Sequence, residues 1–148
     1  MKTFPYHSEG DNRDKEFLVA SNEASLLYMA SLGCIEMNPW SSRVQSPDNP
    51  DWCIIDLDPD KNTFKQVIDA ACTTKKILDA IGITSFCKTS GSTGLHIYIP
   101  FGAKYTYEDS KEFARAIAKK IHAELPSYTT IERKTADRDG KMDIDFLQ

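Results

Sequence analysis

An α+β (α/β-like) fold, built on a central mixed and largely antiparallel sheet flanked by helices, is the expectation for this chain of 148 residues. Three observations carry it. Helical and strand periodicities alternate along the sequence. Glycine and proline punctuate the joints between them. A content of 41% hydrophobic and 27% charged residues suits a packed core rather than a disordered chain. The length fits a single domain, 1–148.

The elements follow in order. Residues up to about Asp14 are polar and read as loop, and Glu16 to Ala20 read as a strand. Ser21 or Asn22 can cap a helix through Leu26, Leu27, Met29 and Ala30, which Gly33 ends. Cys34 to Met37 suggest a short strand, and a Pro- and Ser-rich loop runs from Asn38 to Pro50. The apolar run from Trp52 to Asp58 predicts a buried strand. A second helix starts near Asn62 or Thr63, repeats Phe64, Val67, Ile68, Ala71, Cys72 and Leu78 at helical spacing, and stops at Gly82. Strands are expected over 83–88 and 95–100, joined by the small-residue turn 90–94. A third helix spans about Tyr107 to Leu125, with Phe113, Ile117, Ile121 and Leu125 on one stripe. Two last strands lie near 128–133 and 142–147.

Composition narrows the function classes. No apolar run can cross a bilayer, and Met1-Lys2-Thr3-Phe4-Pro5 is no signal-peptide core, so a cytoplasmic location and no membrane partner are expected. Cys34, Cys53, Cys72 and Cys87 have no C-x-x-C spacing and read as reduced core residues. A net charge of −4 argues against a strongly basic nucleic-acid binder, although charge can be segregated by face.

Asp56 and Asp58 end the apolar strand, and on a strand residues i and i+2 share a face. Two such carboxylates repel unless a cation or proton sits between them, and a hard divalent ion is the natural occupant. The alternative is a polar turn, Asp58-Pro59-Asp60, that merely closes the strand. In Thr89-Ser90-Gly91-Ser92-Thr93-Gly94-Leu95-His96, small residues let backbone N–H groups approach an anion, and the hydroxyls of Ser90, Ser92 and Thr93 add donors. It is not a P-loop, because the Lys-Ser/Thr ending is absent and a strand follows. A simple hairpin turn is the competing reading. His96 lies on an apolar strand and needs a polar partner there. Asp143 and Asp145 share a face of the last strand, and spacing does not decide which of them meets Asp56 and Asp58.

Taken together, D-L-D-P, S-G-S-T-G-L-H and I-D-F-L-Q follow the three-motif order of the archaeo-eukaryotic primase superfamily, and more closely resemble the polymerase domain family of bacterial ligase D. The lead-in from Leu32 to Val44 and the basic stretch before Asp145 are similar too. The resemblance covers about residue 16 to Gln148 and implies a primase-polymerase catalytic core. It implies that Asp56, Asp58 and Asp145 are catalytic carboxylates holding two Mg2+ or Mn2+ ions for nucleotidyl transfer. Ser90, Gly91 and His96 match the motif that grips the triphosphate of the incoming nucleoside triphosphate, with Ser92 and Thr93 in the same loop. Arg138 and Lys141 match a basic region facing phosphates, or else form a solvated turn. Gln148 falls where the family has a polar residue near the nucleotide.

Thr93 stands where many relatives have lysine, and Asn38 where many have histidine, so positive character is lost near the nucleotide. The chain reads as the catalytic core alone, without the family's N-terminal part for base stacking and 5′-phosphate recognition and without its C-terminal part. By resemblance the partners are DNA ends as template-primer, Ku and a ligase domain, in a cytoplasmic, nucleoid-associated setting. Other readings are a non-catalytic DNA-end-binding or scaffolding module, a metal-dependent phosphodiesterase, or a priming enzyme.

Overall fold

The computed structural model describes residues 2–8 and 12–147. The chain forms two compact units, 1–39 and 40–148. In the first, β1 (Lys2–Ser8) pairs antiparallel with β2 (Arg13–Val19), and α1 (Glu23–Ser31) follows. The polar leader is therefore a strand and not a loop: Phe4 faces Phe17 across the ladder, and the Tyr6 ring packs on Phe17. His7 pairs with Asp14 at 2.8 Å. Asn22 is the cap of α1, accepting the Ser25 N–H at 2.9 Å.

The second unit is a five-stranded sheet in the order β4-β5-β3-β7-β6, with β3 (Trp52–Asp58) at its centre. β4 (Phe86–Thr89), β5 (Leu95–Pro100), β3 and β7 (Met142–Asp145) pair antiparallel, and β6 (Thr129–Thr130) runs parallel to β7. The sheet is mixed and largely antiparallel, as expected. Helices α2 (Phe64–Ala80) and α3 (Tyr107–Glu124) each begin with a complete capping box, Thr63 with Gln66 and Thr106 with Asp109. Both helices cover one face of the sheet. Cys53, Ile55 and Leu57 of β3, Leu95, Ile97 and Ile99 of β5, and Met142 and Ile144 of β7 meet Val67, Ala70, Leu78, Ala114, Ile117, Ala118 and Ile121 there. The period-2 strand patterning and the α3 stripe of Phe113, Ile117, Ile121 and Leu125 face inward as read from the sequence. On α2, however, Phe64, Ile68 and Cys72 are exposed, because the face that meets the sheet is centred on Val67, Ala70, Thr74 and Leu78.

Some elements are shorter than the apolar runs suggest. Cys34 to Met37 form no strand; the Cys34 and Ile35 N–H groups bond to Met29 and Gly33 carbonyls, continuing the helix end. The segment 83–85 joins no ladder. Pairing of 128–133 is confined to β6, because Glu132 N–H turns back onto Thr130 Oγ1 and Arg138 Nε takes the Glu132 carbonyl. The cysteine expectation fails for Cys34, Cys72 and Cys87, which are exposed; only Cys53 is a core residue, and burial pushes its thiol up to about 11. An apolar run does not guarantee burial, since a helix or strand end has an outer side. No helix among the described residues is long and apolar enough to cross a membrane.

Candidate active site on the second face of the sheet

Alternation along β3 that buries Cys53, Ile55 and Leu57 turns Trp52, Ile54, Asp56 and Asp58 to the other face. Residues directly opposite in an antiparallel ladder share a face. Asp56 lies opposite His96 on one side and Asp145 on the other, and Lys88 lies opposite His96. Lys88, His96, Asp56 and Asp145 thus form one row across four strands. Asp58 faces Asp143 in the neighbouring row. The question that spacing left open is answered by register: Asp145 meets Asp56, and Asp143 meets Asp58.

The electrostatics follow from this crowding. Asp56 is pushed up chiefly by burial; His96 pulls it down, and the carboxylates of Asp58 and Asp145 push it further up. One of its oxygens, Oδ1, is buried and has no hydrogen-bond partner, although the side chain as a whole is 40% exposed. His96 Nε2 is 3.5 Å from that oxygen, too far for a well-formed hydrogen bond, and His96 Nδ1 is also buried and unbonded. Asp143 is pushed up to about 6 by burial and, more weakly, by Asp145, Asp58 and Asp56, against the pull of Arg138. Its Oδ2 pairs with Arg138 Nη2 at 2.7 Å. Asp145 Oδ1 accepts the Leu147 N–H at 2.9 Å, which fixes the carboxylate at the end of its strand.

The turn between β4 and β5 closes on itself. Ser90 N–H donates to the Gly94 carbonyl and Gly94 N–H to Ser90 Oγ, both at 3.1 Å. The Ser90 hydroxyl proton is still available to an anion, because the serine oxygen acts as acceptor in that bond. Gly91 has φ +102° and Gly94 lies so close to β3 that an added Cβ would sit 2.6 Å from the Leu57 carbonyl oxygen. The loop is therefore seated on the strand that carries Asp56 and Asp58. Gly91, Ser92 and Thr93 are exposed at its tip.

On the opposite flank, Arg138 Nε donates to the Glu132 carbonyl at 3.0 Å and Nη2 to the Arg133 carbonyl at 3.2 Å. Arg133, Arg138, Asp143 and Asp145 line a cavity of about 110 Å³ with Ile131 and Phe146. Lys141 Nζ donates to the Pro126 carbonyl at 2.9 Å, which braces the turn before β7. Asn38 belongs to the 1–39 unit, and Gln148 lies outside the described residues. Among the described residues no three Asp, Glu, His or Cys side chains gather into one coordination sphere. The donor chemistry still fits a hard divalent ion: carboxylate oxygens from Asp56, Asp58 and Asp145 on one face, with Asp56 Oδ1 buried and unbonded.

Sequence reasoning missed several participants. Lys88 enters the row only through the β4–β5 register. The Trp52, Phe86 and Tyr98 rings pack edge to face beside it, with the Phe86 centroid 6.2 Å and the Tyr98 centroid 5.7 Å from Trp52. Lys88 Nζ stands 5.4 Å from the Tyr98 ring centre. Tyr98 stands two residues after His96 and Trp52 four before Asp56, so strand alternation was the available signal for these two rings. The Arg138–Asp143 pair and the place of Arg133 had none.

Residues 1–148 match the family described as LigD, primase-polymerase domain. The chain is 33% identical over 135 residues to the bifunctional non-homologous end joining protein LigD of Bacillus subtilis, covering 90% of this chain and 22% of that protein. It is 30% identical over 131 residues to the multifunctional non-homologous end joining protein LigD of Pseudomonas aeruginosa, covering 88% of this chain and 16% of that one. The chain thus spans less than a quarter of these relatives. The polymerase domain from Mycobacterium tuberculosis ligase D, solved in complex with DNA, has the same fold with a TM-score of 0.83 at 21% identity, covering 98% of this chain and 53% of that one.

Proposed function

The chain belongs to the LigD primase-polymerase domain family, and from that premise we propose that it is a metal-dependent nucleotidyltransferase adding nucleotides at DNA ends during non-homologous end joining. The observation that carries the reading is the register of β3 with β7, which sets Asp145 opposite Asp56, on the same sheet face as Asp58 and away from α2 and α3. Asp56, Asp58 and Asp145 would hold Mg2+ or Mn2+. Bound there, such ions would supply Lewis acidity for a phosphoryl oxygen and for the attacking 3′-hydroxyl.

The remaining work falls to this chain's own groups. The Ser90 hydroxyl and the backbone N–H groups of Gly91, Ser92 and Thr93 bind triphosphate oxygens, and the seating of Gly94 on Leu57 keeps that loop in register with the carboxylates. His96 donates to a phosphate oxygen from the middle of the row. Arg138 offsets negative charge from the flank, and Leu147 N–H orients Asp145. The relatives' names speak of end joining and the solved neighbour was bound to DNA, which supports DNA ends as the substrate. Attachment to a ligase domain and association with Ku belong to the same proposal.

The test is Mn2+ calorimetry in the presence of a nucleoside triphosphate, paired with primer extension, on the wild type, Asp56→Ala and Asp145→Ala. Loss of ion binding and extension in both folded variants is expected, beyond the roughly 10–100-fold cost of removing an outer partner of a metal site. Binding of DNA ends without metal-dependent addition by the wild type would instead assign a non-catalytic end-binding module. The neutral side chain of Thr93, which leaves the 90–94 loop without a cation, supports that second reading.

A further inference from the structure

Four aspartates stand in two facing pairs on this sheet, Asp56 with Asp145 and Asp58 with Asp143, yet they are not equivalent. Asp143 is the carboxylate with a guanidinium against it, and its side chain is 9% exposed. Asp58 is exposed, and Asp56 keeps an unbonded oxygen. From these differences we infer that Asp143 is a positioning residue: its carboxylate holds the Arg138 guanidinium beside the acidic row, where the guanidinium meets phosphate oxygens of the incoming nucleotide. This rests on the nucleotidyltransferase reading of the same site.

The geometry separates this role from that of a fourth ion ligand. Oδ2 of Asp143 is committed to Arg138 at 2.7 Å, and the near-complete burial of its side chain limits approach by an ion and its water shell. Arg138 in turn is fixed at three points, two of them neutral carbonyls (Glu132 and Arg133) and one charged, the Asp143 carboxylate. Two carbonyls on consecutive residues accept the Nε–H and an Nη2–H, and the Asp143 carboxylate adds the charged contact, the strongest of the three, that holds the fork against them. Nη1 forms no hydrogen bond among the described residues, so N–H groups remain for a ligand while Nε and Nη2 stay anchored. Arg138 also lines the same cavity as Asp145, so an anchored guanidinium stays next to the carboxylates proposed to bind ions. A buried pair of this kind is a poor source of stability, because desolvation offsets most of its attraction. Positioning is the use that the arrangement supports.

The experiment compares the full chain with Asp143→Asn, Asp143→Glu, Arg138→Ala and the double variant Asp143→Asn/Arg138→Ala. Steady-state nucleotide addition and triphosphate binding by calorimetry are measured on each. Asp143→Asn is expected to raise KM for the nucleotide about tenfold with little change in kcat, in the range seen for outer partners of a site. Asp143→Glu should recover part of that loss. Adding Asp143→Asn to Arg138→Ala should cost nothing further, because one residue acts through the other. The 15N-labelled Nε–H signal of Arg138, identified by its loss in Arg138→Ala, should broaden or shift in Asp143→Asn and persist in Asp143→Glu. An unchanged Nε–H signal, or full additivity in the double variant, overturns the inference. If the wild type adds no nucleotide, the functional reading fails by itself, and the Nε–H signal and triphosphate binding still decide whether Asp143 holds Arg138. If Asp143→Asn does not fold, Arg138→Lys replaces it, since a lysine keeps the charge but not the fork: it should show the same raised KM, and an unchanged KM overturns the inference.

Discussion

Along β3, Cys53, Ile55 and Leu57 have no exposed surface, whereas Trp52, Ile54 and Asp56 are half-buried and Asp58 is exposed. Neighbours one residue apart serve opposite ends. The covered face meets α2 and α3 and supplies the apolar burial that makes the sheet stable. The face turned away from α2 and α3 gathers like charges that repel one another and leaves Asp56 Oδ1 without a partner. One strand therefore carries both stability and an electrostatic load. The load is tolerable because the same ladder hydrogen bonds that fix the core fix the carboxylates.

That contrast can be broken from either side. Leu57→Ala opens a cavity on the covered face and should cost about 2–5 kcal/mol in urea unfolding. Asp56→Asn should leave the metal-free protein at least as stable, because its carboxyl is held above the usual range and ionises at a cost in the fold. A loss of stability in Asp56→Asn comparable to that in Leu57→Ala would erase the distinction between the faces.

Gly94→Ala tests where the faces touch. The new methyl would crowd the Leu57 carbonyl at 2.6 Å and Ser90 Oγ at 3.2 Å. An overpacking cost of roughly 1–3 kcal/mol is expected in the melting curve, with weaker triphosphate binding as the loop lifts from β3. Unaltered binding with lowered stability would confine Gly94 to a packing role.

Cys53 sharpens the covered face through pH. Its thiol is pushed up to about 11 from an ordinary 9.0 by burial, so the folded state retains a proton that the unfolded state has lost across that window. Stability from this group is intact below about pH 9 and falls as pH rises toward 11, by roughly 1–3 kcal/mol. The comparison is the alkaline slope of unfolding in the wild type against Cys53→Ala, which should lack this component. Equal slopes would mean that the thiol is already ionised or hydrated in the folded protein.

Much of this was legible without coordinates. Val67 and Leu78 of α2, and Ile117 and Ile121 of α3, lie in the core where their spacing places them, whereas Phe64, Ile68 and Cys72 of the expected α2 stripe are exposed. The caps Thr63 and Asn22 lie among the residues named for them. The leader strand Lys2–Ser8 was not legible, since its residues are mostly exposed and polar and its definition comes from pairing with β2. The opposite error at Cys34–Met37 has the same origin: β-propensity forms a strand only where a neighbour offers a ladder. In the site, Asp56 and Asp58 could be put on one face from period-2 alternation alone. The turn 90–94 could be recognised as a close-approach loop from its glycines, but not that Gly94 abuts the Leu57 carbonyl.

By itself, then, the sequence determined which residues alternate, where helices are capped, and which short motifs resemble the primase-polymerase family. These are local properties, written in spacings of two, three and four residues. Only the tertiary structure decided that Asp145 and not Asp143 stands opposite Asp56, that Lys88 joins the row, and that Arg138 is held by Asp143. Register between strands far apart in the chain is set by packing the whole covered face against two helices. A slip of one residue would exchange the two faces of a strand, so the choice belongs to the fold as a unit.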